Sequence, residues 1–193
     1  MNRLLSQSLF FYPATVLKGE PIPFFLGGYK ARQWMRSEEL RAYQFERLKS
    51  LLSFVYESSE FYRVRFDDHG LNPSSLRSLD DFSRFPSISK KDLIDNLDSM
   101  SVGRHRRFAD SKTTGGSTGE PVKLYKNAFA LARERCATAR SYEWAGVRIG
   151  DPQLRFWGIP HSQLASGKAA LIDLVANRKR IYAFDITEKS LRE

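Results

Sequence analysis

With 193 residues, 41% of them hydrophobic, 27% charged and 13% aromatic, the chain has room for one domain and part of another, and it is excluded from the disordered, collagen-like and low-complexity classes. One cysteine, Cys136, rules out a disulfide framework and a Cys-cluster zinc site, and agrees with a reducing, cytoplasmic compartment. The net charge of +9 selects anionic partners (nucleic acid, a membrane surface or a polyphosphate) without choosing among them.

Residues 4–17 form an uncharged stretch of 14 residues. A spanning helix needs ~20 apolar residues, so no transmembrane segment is expected here. No small-residue cleavage site follows, which argues against a secretory signal. Residues 1–36, interrupted by Pro13, Pro21, Pro23 and Gly27-Gly28, read as an irregular segment. A clasp over the core is the favoured role for it, ahead of a membrane-surface anchor. Residues 37–193 read as one incomplete α/β domain.

Its first part is helical. Ser37 is the expected N-cap, with Glu38 and Glu39 in the first turn. Leu40, Gln44, Leu48, Leu51, Leu52 and Val55 then recur at helical spacing to about Ser58. A shorter helix ends at Gly70, a C′ position, before a turn at Asn72-Pro73-Ser74-Ser75. Ser78, with Asp80 and Asp81, opens another short helix that Pro86 ends. Ser89 and Asp92 have the spacing of a capping box.

The pattern then changes. Residues 107–114 and 122–125 alternate loosely and read as two strands joined by a glycine-rich loop. A helix over 127–145 closes at Gly146. A strand at 153–157, a helix at 169–177 and a strand at 181–186 follow, and Thr187 looks like the cap of a last helix. Strands alternating with helices imply α/β.

Several residue groups read as structural. Arg104-His105-Arg106-Arg107 and Arg178-Lys179-Arg180 are expected to be solvated charge runs. No interleaving of basic and stacking residues suggests specific nucleic-acid recognition. His69, His105 and His161 lack metal-ligand spacing. His161 reads as a polar loop residue, and Cys136 as a packed thiol on a stripe with Ala132 and Ala139.

The sharp signal is TTGGSTGEP at residues 113–121. Three glycines permit positive φ, so that successive amides can turn inward around an anion, and four hydroxyls add donors. A plain turn is the bland alternative. A Walker A loop is excluded, because Glu120-Pro121 stands where Lys-Ser/Thr is needed. Residues 115–119 also fit G-x-S-x-G, the nucleophile elbow of hydrolases. That motif should leave a buried strand and enter a helix, whereas here a polar stretch precedes it and a strand follows. Only Asp151 and His161 come in the right order to complete a triad.

The loop closely resembles the phosphate-binding signature of adenylate-forming enzymes, the AMP-dependent synthetase and ligase family, in its phenylacetate–CoA ligase and CapK-type branch. Similar runs flank it: FVYESSEFY at 54–62, LDDF at 79–82, FPSISK at 85–90, WAGVRIGD at 144–151 and RFWG at 155–158. The likeness extends over residues 40 to 193. Two positions depart from it: Glu120 stands where Lys is common, and Val122 where a basic residue often follows the Pro, with Lys123 one place later.

The resemblance implies the N-terminal part of a ligase large domain. It implies that Thr113, Thr114, Gly115, Gly116, Ser117, Thr118, Gly119 and Lys123 bind ATP, delivered with Mg2+, and that a carboxylate is activated and passed to a thiol such as CoA. None of these residues is assigned the acyl or proton chemistry. The family's adenine-binding, metal-associated and catalytic-lysine segments lie downstream of the matching region. The chain is therefore expected to be a truncated product, or one piece of a split protein whose separate partner chain supplies the C-terminal part, and to be inactive alone. The competing readings are a non-catalytic scaffold in polysaccharide biosynthesis and a basic nucleic-acid binder.

Overall fold

Among the described residues the longest element, α4 (Ser37–Ser58), spans the expected residues, but its N-cap is Arg36 and not Ser37. Arg36, extended at φ −62° and ψ 154°, is the N-cap. Its backbone N–H donates to Glu39 at 3.0 Å and its guanidinium pairs with the same carboxylate. Those bonds, the backbone one first, hold the Glu39 carboxyl below its usual range. Both the backbone and the side chain of Arg36 thus hold Glu39, and Ser37 is the first helical residue.

The computed structural model describes residues 2–102, 109–114, 121–157 and 163–183. The chain divides into two units, one of residues 30–131 and one of residues 1–29 with 132–193.

In the unit of residues 30–131, α4 turns Leu52 into a core shared with Phe66, Leu71, Leu76 and Phe85, backed by Phe45, Leu48 and Val55. Leu51, one step off this stripe, is 54% exposed. The short helix α5 (Glu60–Asp67) contributes Phe66, whose ring meets Phe85 edge-on at 5.1 Å. Gly70 at φ +63° reverses the chain after α5, as a C′ glycine should. Single 3-10 turns follow at Pro73–Ser75 and Asp80–Arg84. Asp81 accepts from the Arg77 and Ser78 amides, and these bonds lower its carboxyl pKa. The helix α6 (Lys90–Asp95) has the expected capping box, Ser89 N–H to Asp92 at 2.8 Å and Asp92 N–H to Ser89 Oγ at 3.1 Å. Arg65 reaches across from α5 to Asp92 at 3.3 Å and to the Ser87 carbonyl at 2.7 Å, tying the two helices together. The unit continues through α7 (Leu97–Met100) and the antiparallel strands β1 (Asp110–Thr113) and β2 (Lys123–Lys126), and takes in the start of α8 (Ala128–Trp144).

The other unit corrects the reading of residues 1–36 as irregular. Residues 3–17 are helical throughout: α1 (Arg3–Leu5), a π-helical stretch (Ser6–Phe11) and α2 (Tyr12–Leu17). A further helix, α3 (Ile22–Arg32), follows. The prolines do not break these helices. Pro23 lies in the first turn of α3, where an N–H has no intrahelical partner, and Pro21 immediately precedes it; Pro13 sits where the π-helical stretch Ser6–Phe11 gives way to α2. Ile22 and Leu26 pack with Ala132 and Cys136 of α8, and the Cys136 thiol donates to the Ile22 carbonyl at 3.6 Å. Cys136 is wholly buried, as expected of a packing thiol.

After Gly146 at φ +78°, β3 (Gln153–Trp157), α9 (Gln163–Val175) and β4 (Arg178–Tyr182) form a parallel strand–helix–strand unit. The helix starts six residues before the expected 169, and β4 starts at Arg178 instead of 181. Arg178 and Arg180 are not a solvated run. Both bind the buried carboxylate of Asp173, Arg180 at 2.9 Å, because the turn at Asn177 folds the strand back against its own helix. The α/β assignment holds, with one antiparallel and one parallel pair of strands among the described residues. The expected cap at Thr187, the strand end at 186, His161 and the run 104–107 lie outside the described residues.

Gly150, at φ +89°, marks a close backbone approach. A Cβ there would lie 2.5 Å from the Arg3 carbonyl oxygen. Gly150→Ala should therefore lower stability by about 1–3 kcal/mol, read from urea unfolding, because both the φ and the contact oppose a side chain.

The lowered carboxyls give the fold an acid limb. Asp81 and Asp92, both below the ordinary 3.8, stabilise the folded state at pH values above 3.8, and that contribution is lost as pH falls through their lowered values. The melting temperature should fall steeply below pH 3.8, and Asp92→Asn should flatten that limb while lowering the plateau.

Candidate phosphate loop and its supports

The loop sits on the β1–β2 hairpin. Asp110 stands opposite Lys126, Ser111 opposite Tyr125, Lys112 opposite Leu124 and Thr113 opposite Lys123. The first of these pairs places opposite charges across the strands at the open end.

Beyond the last strand pair the hairpin is closed by an unusual exchange. The Thr114 N–H donates to the Val122 carbonyl at 3.0 Å, and the Val122 N–H donates to the Thr114 side-chain hydroxyl at 2.9 Å. Pro121 has no N–H, so Val122 carries the first amide after the loop that can donate. Val122 is 7% exposed, and its amide would be orphaned without that hydroxyl. Thr113 and Thr114 are both exposed, and it is the Thr114 hydroxyl that accepts the Val122 amide. Gly115, Gly116, Ser117, Thr118 and Gly119 lie outside the described residues, as does Glu120. The structure thus describes the two ends between which they run.

Lys123 points outward, and its ammonium lies 5.3 Å from the centre of the Tyr125 ring. The two residues are two apart on a strand and so share a face. An exposed cation–π contact of this kind contributes about 0.5–1 kcal/mol, little enough to be exchanged for an anion.

Below the hairpin lies a cavity of about 470 Å³. Phe54, Tyr62, Leu93, Leu97, Leu124 and Tyr125 line it, together with Met100. Burial raises the pKa of the Tyr62 phenol. Sequence reasoning did not find this cavity. Its one local signal was the i, i+4 pair Leu93 and Leu97, and the other walls come from segments far apart in the chain. Past β2, Asn127 accepts the Ala130 N–H at 2.8 Å and so starts α8 directly after the strand.

The hydrolase reading finds no support in this geometry. The hydrolase elbow needs a helix after the loop, and a strand is there. Asp151, the acid that would serve its triad, accepts the Arg148 N–H at 2.7 Å and pairs with Arg3 at 3.9 Å. Among the described residues no three His, Cys, Asp or Glu side chains group as metal ligands. Among them too, no helix is long and apolar enough to cross a membrane.

Comparison with known proteins agrees with the loop. No family model matches. A solved 2-hydroxyisobutyryl-CoA ligase, in complex with 2-HIB-AMP and CoA, superposes with a TM-score of 0.58 at 23% identity, covering 81% of this chain and 34% of that one. That likeness establishes the fold: it is the fold of part of an adenylate-forming ligase. In sequence, the chain is 36% identical over 115 residues to the phenylacetate-coenzyme A ligase of Aromatoleum evansii, covering 59% of this chain and 26% of that protein. It is 25% identical over 91 residues to Protein CapK of Staphylococcus aureus, covering 47% and 20% respectively. Its relatives are thus phenylacetate–CoA ligases and CapK, the branch the loop resembles, and it spans about a quarter of the length of the ligase.

Thr114→Val keeps the shape of the side chain and removes the hydroxyl. It should cost about 1–3 kcal/mol in urea unfolding, the penalty for a buried amide left unpaired. Thr113→Val, at an exposed site, should stay within about 0.5 kcal/mol of wild type.

Proposed function

We propose that this chain carries the β,γ-phosphate cradle of an ATP-dependent, carboxylate-activating ligase of the phenylacetate–CoA ligase and CapK kind. The observation that supports it most is the TTGGSTGEP loop, with its ends tied by Thr114 and Val122, in a chain whose relatives are such ligases. In the complete reaction a carboxylate oxygen attacks the α-phosphorus of ATP. The bond to the bridging oxygen breaks and pyrophosphate leaves with its electrons. The acyl-adenylate then gives its acyl group to a thiol such as that of CoA, releasing AMP.

In this reading the loop acts electrostatically. The amides of Gly115, Gly116 and Gly119 and the hydroxyls of Ser117 and Thr118 hold the two outer phosphates as negative charge moves onto them. Thr113 and Thr114 support the loop from its first strand. Lys123 supplies a nearby cation once it leaves the Tyr125 ring. Mg2+ would come with the nucleotide, as the MgATP substrate, and offset part of its phosphate charge. An enzyme using ATP and CoA belongs in the cytoplasm, where the single buried thiol is stable.

The test is phosphorus NMR of pyrophosphate with wild-type protein and two variants. A few charge-assisted contacts at ~1.5–3 kcal/mol each, less ordering costs, predict line broadening at millimolar affinity. Gly116→Val should abolish it, since a β-branched side chain opposes positive φ and fills the cradle. Ser117→Ala should only weaken it, because the backbone donors remain. No broadening by wild type, together with p-nitrophenyl ester hydrolysis lost in Ser117→Ala, would replace this reading with the hydrolase.

A further inference from the structure

The parallel pair β3–β4 gathers positive charge that its own acids do not balance. Gln153 stands in register with Arg178, and Arg155 with Arg180, so strand alternation puts all four side chains on one face. It is the face that α9 covers, since Asp173 of that helix meets both Arg178 and Arg180. Asp173 receives the Arg178 Nε–H and a terminal N–H of Arg180 on the same oxygen, Oδ1. Arg155 meets no carboxylate among the described residues. Its Nε–H goes to the Gln153 side-chain carbonyl at 3.1 Å, and its guanidinium carbon lies 5.6 Å from the centre of the Tyr142 ring. Three guanidiniums thus share one face with one carboxylate, and two of them stand side by side.

These charges are drawn back from water. The side chains of Arg178 and Arg180 are 17% and 19% exposed, so solvent screens them less than it screens a surface charge. At the start of the two strands opens a cavity of about 610 Å³. Gln153, Asp173, Arg178 and Lys179 line it, with Leu154 and Leu174 as apolar walls. Arg178 gives Asp173 its Nε–H, which leaves its two terminal amino groups to another acceptor. Such a fork matches the oxygens of a carboxylate or a phosphate. Lys179 is exposed and has no ion pair among the described residues. Four cations therefore surround Asp173, an excess that one further carboxylate does not offset. A phosphomonoester is a dianion above its second pKa of about 6 and comes closer to balance. The cavity is also larger than a bare phosphate requires, and exposed Leu154 and Leu174 offer nothing to an inorganic ion.

We propose that this cavity binds a small phosphomonoester whose organic part is apolar. The phosphoryl oxygens take the terminal amino groups of Arg178 and the Lys179 ammonium, and the organic part lies against Leu154 and Leu174. Arg155 and Arg180 add positive potential from the same face without touching the ligand. The site belongs wholly to the unit of residues 1–29 with 132–193 and uses no residue of the phosphate loop.

The test is isothermal titration calorimetry of the 193-residue chain with phenyl phosphate, inorganic phosphate and benzoate. At about pH 7.5 phenyl phosphate should bind at least about tenfold more tightly than benzoate, which has the ring and a single charge. It should bind at least about threefold more tightly than inorganic phosphate, which has no group for the apolar walls. Near pH 5 the ester carries one charge, and its affinity should fall at least about fivefold. Arg178→Lys keeps the charge and loses the fork, and should weaken phenyl phosphate at least about tenfold. Leu174→Glu sets a carboxylate on an exposed wall of the cavity and should weaken it at least about fivefold. Val64→Glu, an equal charge change at an exposed site in the other unit, should bind like wild type. So should Gly116→Val, the variant expected to lose the phosphate loop's own anion. Circular dichroism checks each variant for folding, and Leu174→Glu carries the test if Arg178→Lys does not fold. Absence of binding by wild type overturns the proposal, as does equal affinity for phenyl phosphate and either of the other two anions. Unchanged affinity in Leu174→Glu overturns it as well. Loss of phenyl phosphate in Gly116→Val would assign the ester to the phosphate loop and overturn it too. Pyrophosphate broadening is read separately, so the phosphate-loop reading stands or falls on its own.

Discussion

The exchange between Thr114 and Val122 is the constraint on which the candidate site depends. A glycine-rich loop is flexible along its length, and a chain of amides can cradle an anion only if its ends are held at a set separation. At this end the ladder is incomplete, because the Val122 N–H meets the Thr114 side chain in place of a backbone carbonyl. The Thr114 hydroxyl takes the place of the missing backbone partner and keeps the buried Val122 amide bonded. The hairpin is anchored below by Leu124 and Tyr125, which wall the cavity with residues of α4 to α7.

A second regularity concerns carboxylates. Glu20 and Asp173 are both nearly buried, and each meets arginine, Arg135 in one case and Arg178 with Arg180 in the other. Asp92 is similarly matched to Arg65. Removing one member of such a pair would leave an uncompensated charge, so these contacts fix geometry more than they add net stability. Where one carboxylate holds one arginine, as Glu20 holds Arg135 and Asp92 holds Arg65, that arginine leaves the pool that could meet an external anion. The net charge of +9 therefore overstates the free cationic surface.

Much of the fold was legible because its signals are local. The Ser89–Asp92 box, the positive-φ glycines at 70 and 146, the helix over 128–144 and the buried Cys136 each depend on residues within a few positions of one another. The loop was legible for the same reason, since its glycines, hydroxyls and proline are contiguous. What escaped required either position or distance. Pro13 and Pro23 signal disruption in the middle of a helix and compatibility at its start, and composition alone does not say which applies. The fate of Arg178 and Arg180 turns on Asp173, on a different element. The cavity needs walls drawn from residue 54 to residue 127.

The two departures from the family's loop pattern acquire a physical meaning on this hairpin. A basic residue directly after the proline would occupy the place of Val122, which is 7% exposed. A lysine there would have to bury its stem in an apolar site or leave it, so the valine exchanges a phosphate cation for packing. Lys123 stands on the opposite face by strand alternation, above Tyr125, so in the proposed reading its cation reaches the loop only by leaving that ring. Glu120 adds a carboxylate on the other side of Pro121. With one cation absent and an anion added, the proposed reading leaves the outer phosphates to the amide and hydroxyl donors between Thr114 and Val122, and pyrophosphate affinity would be correspondingly weak.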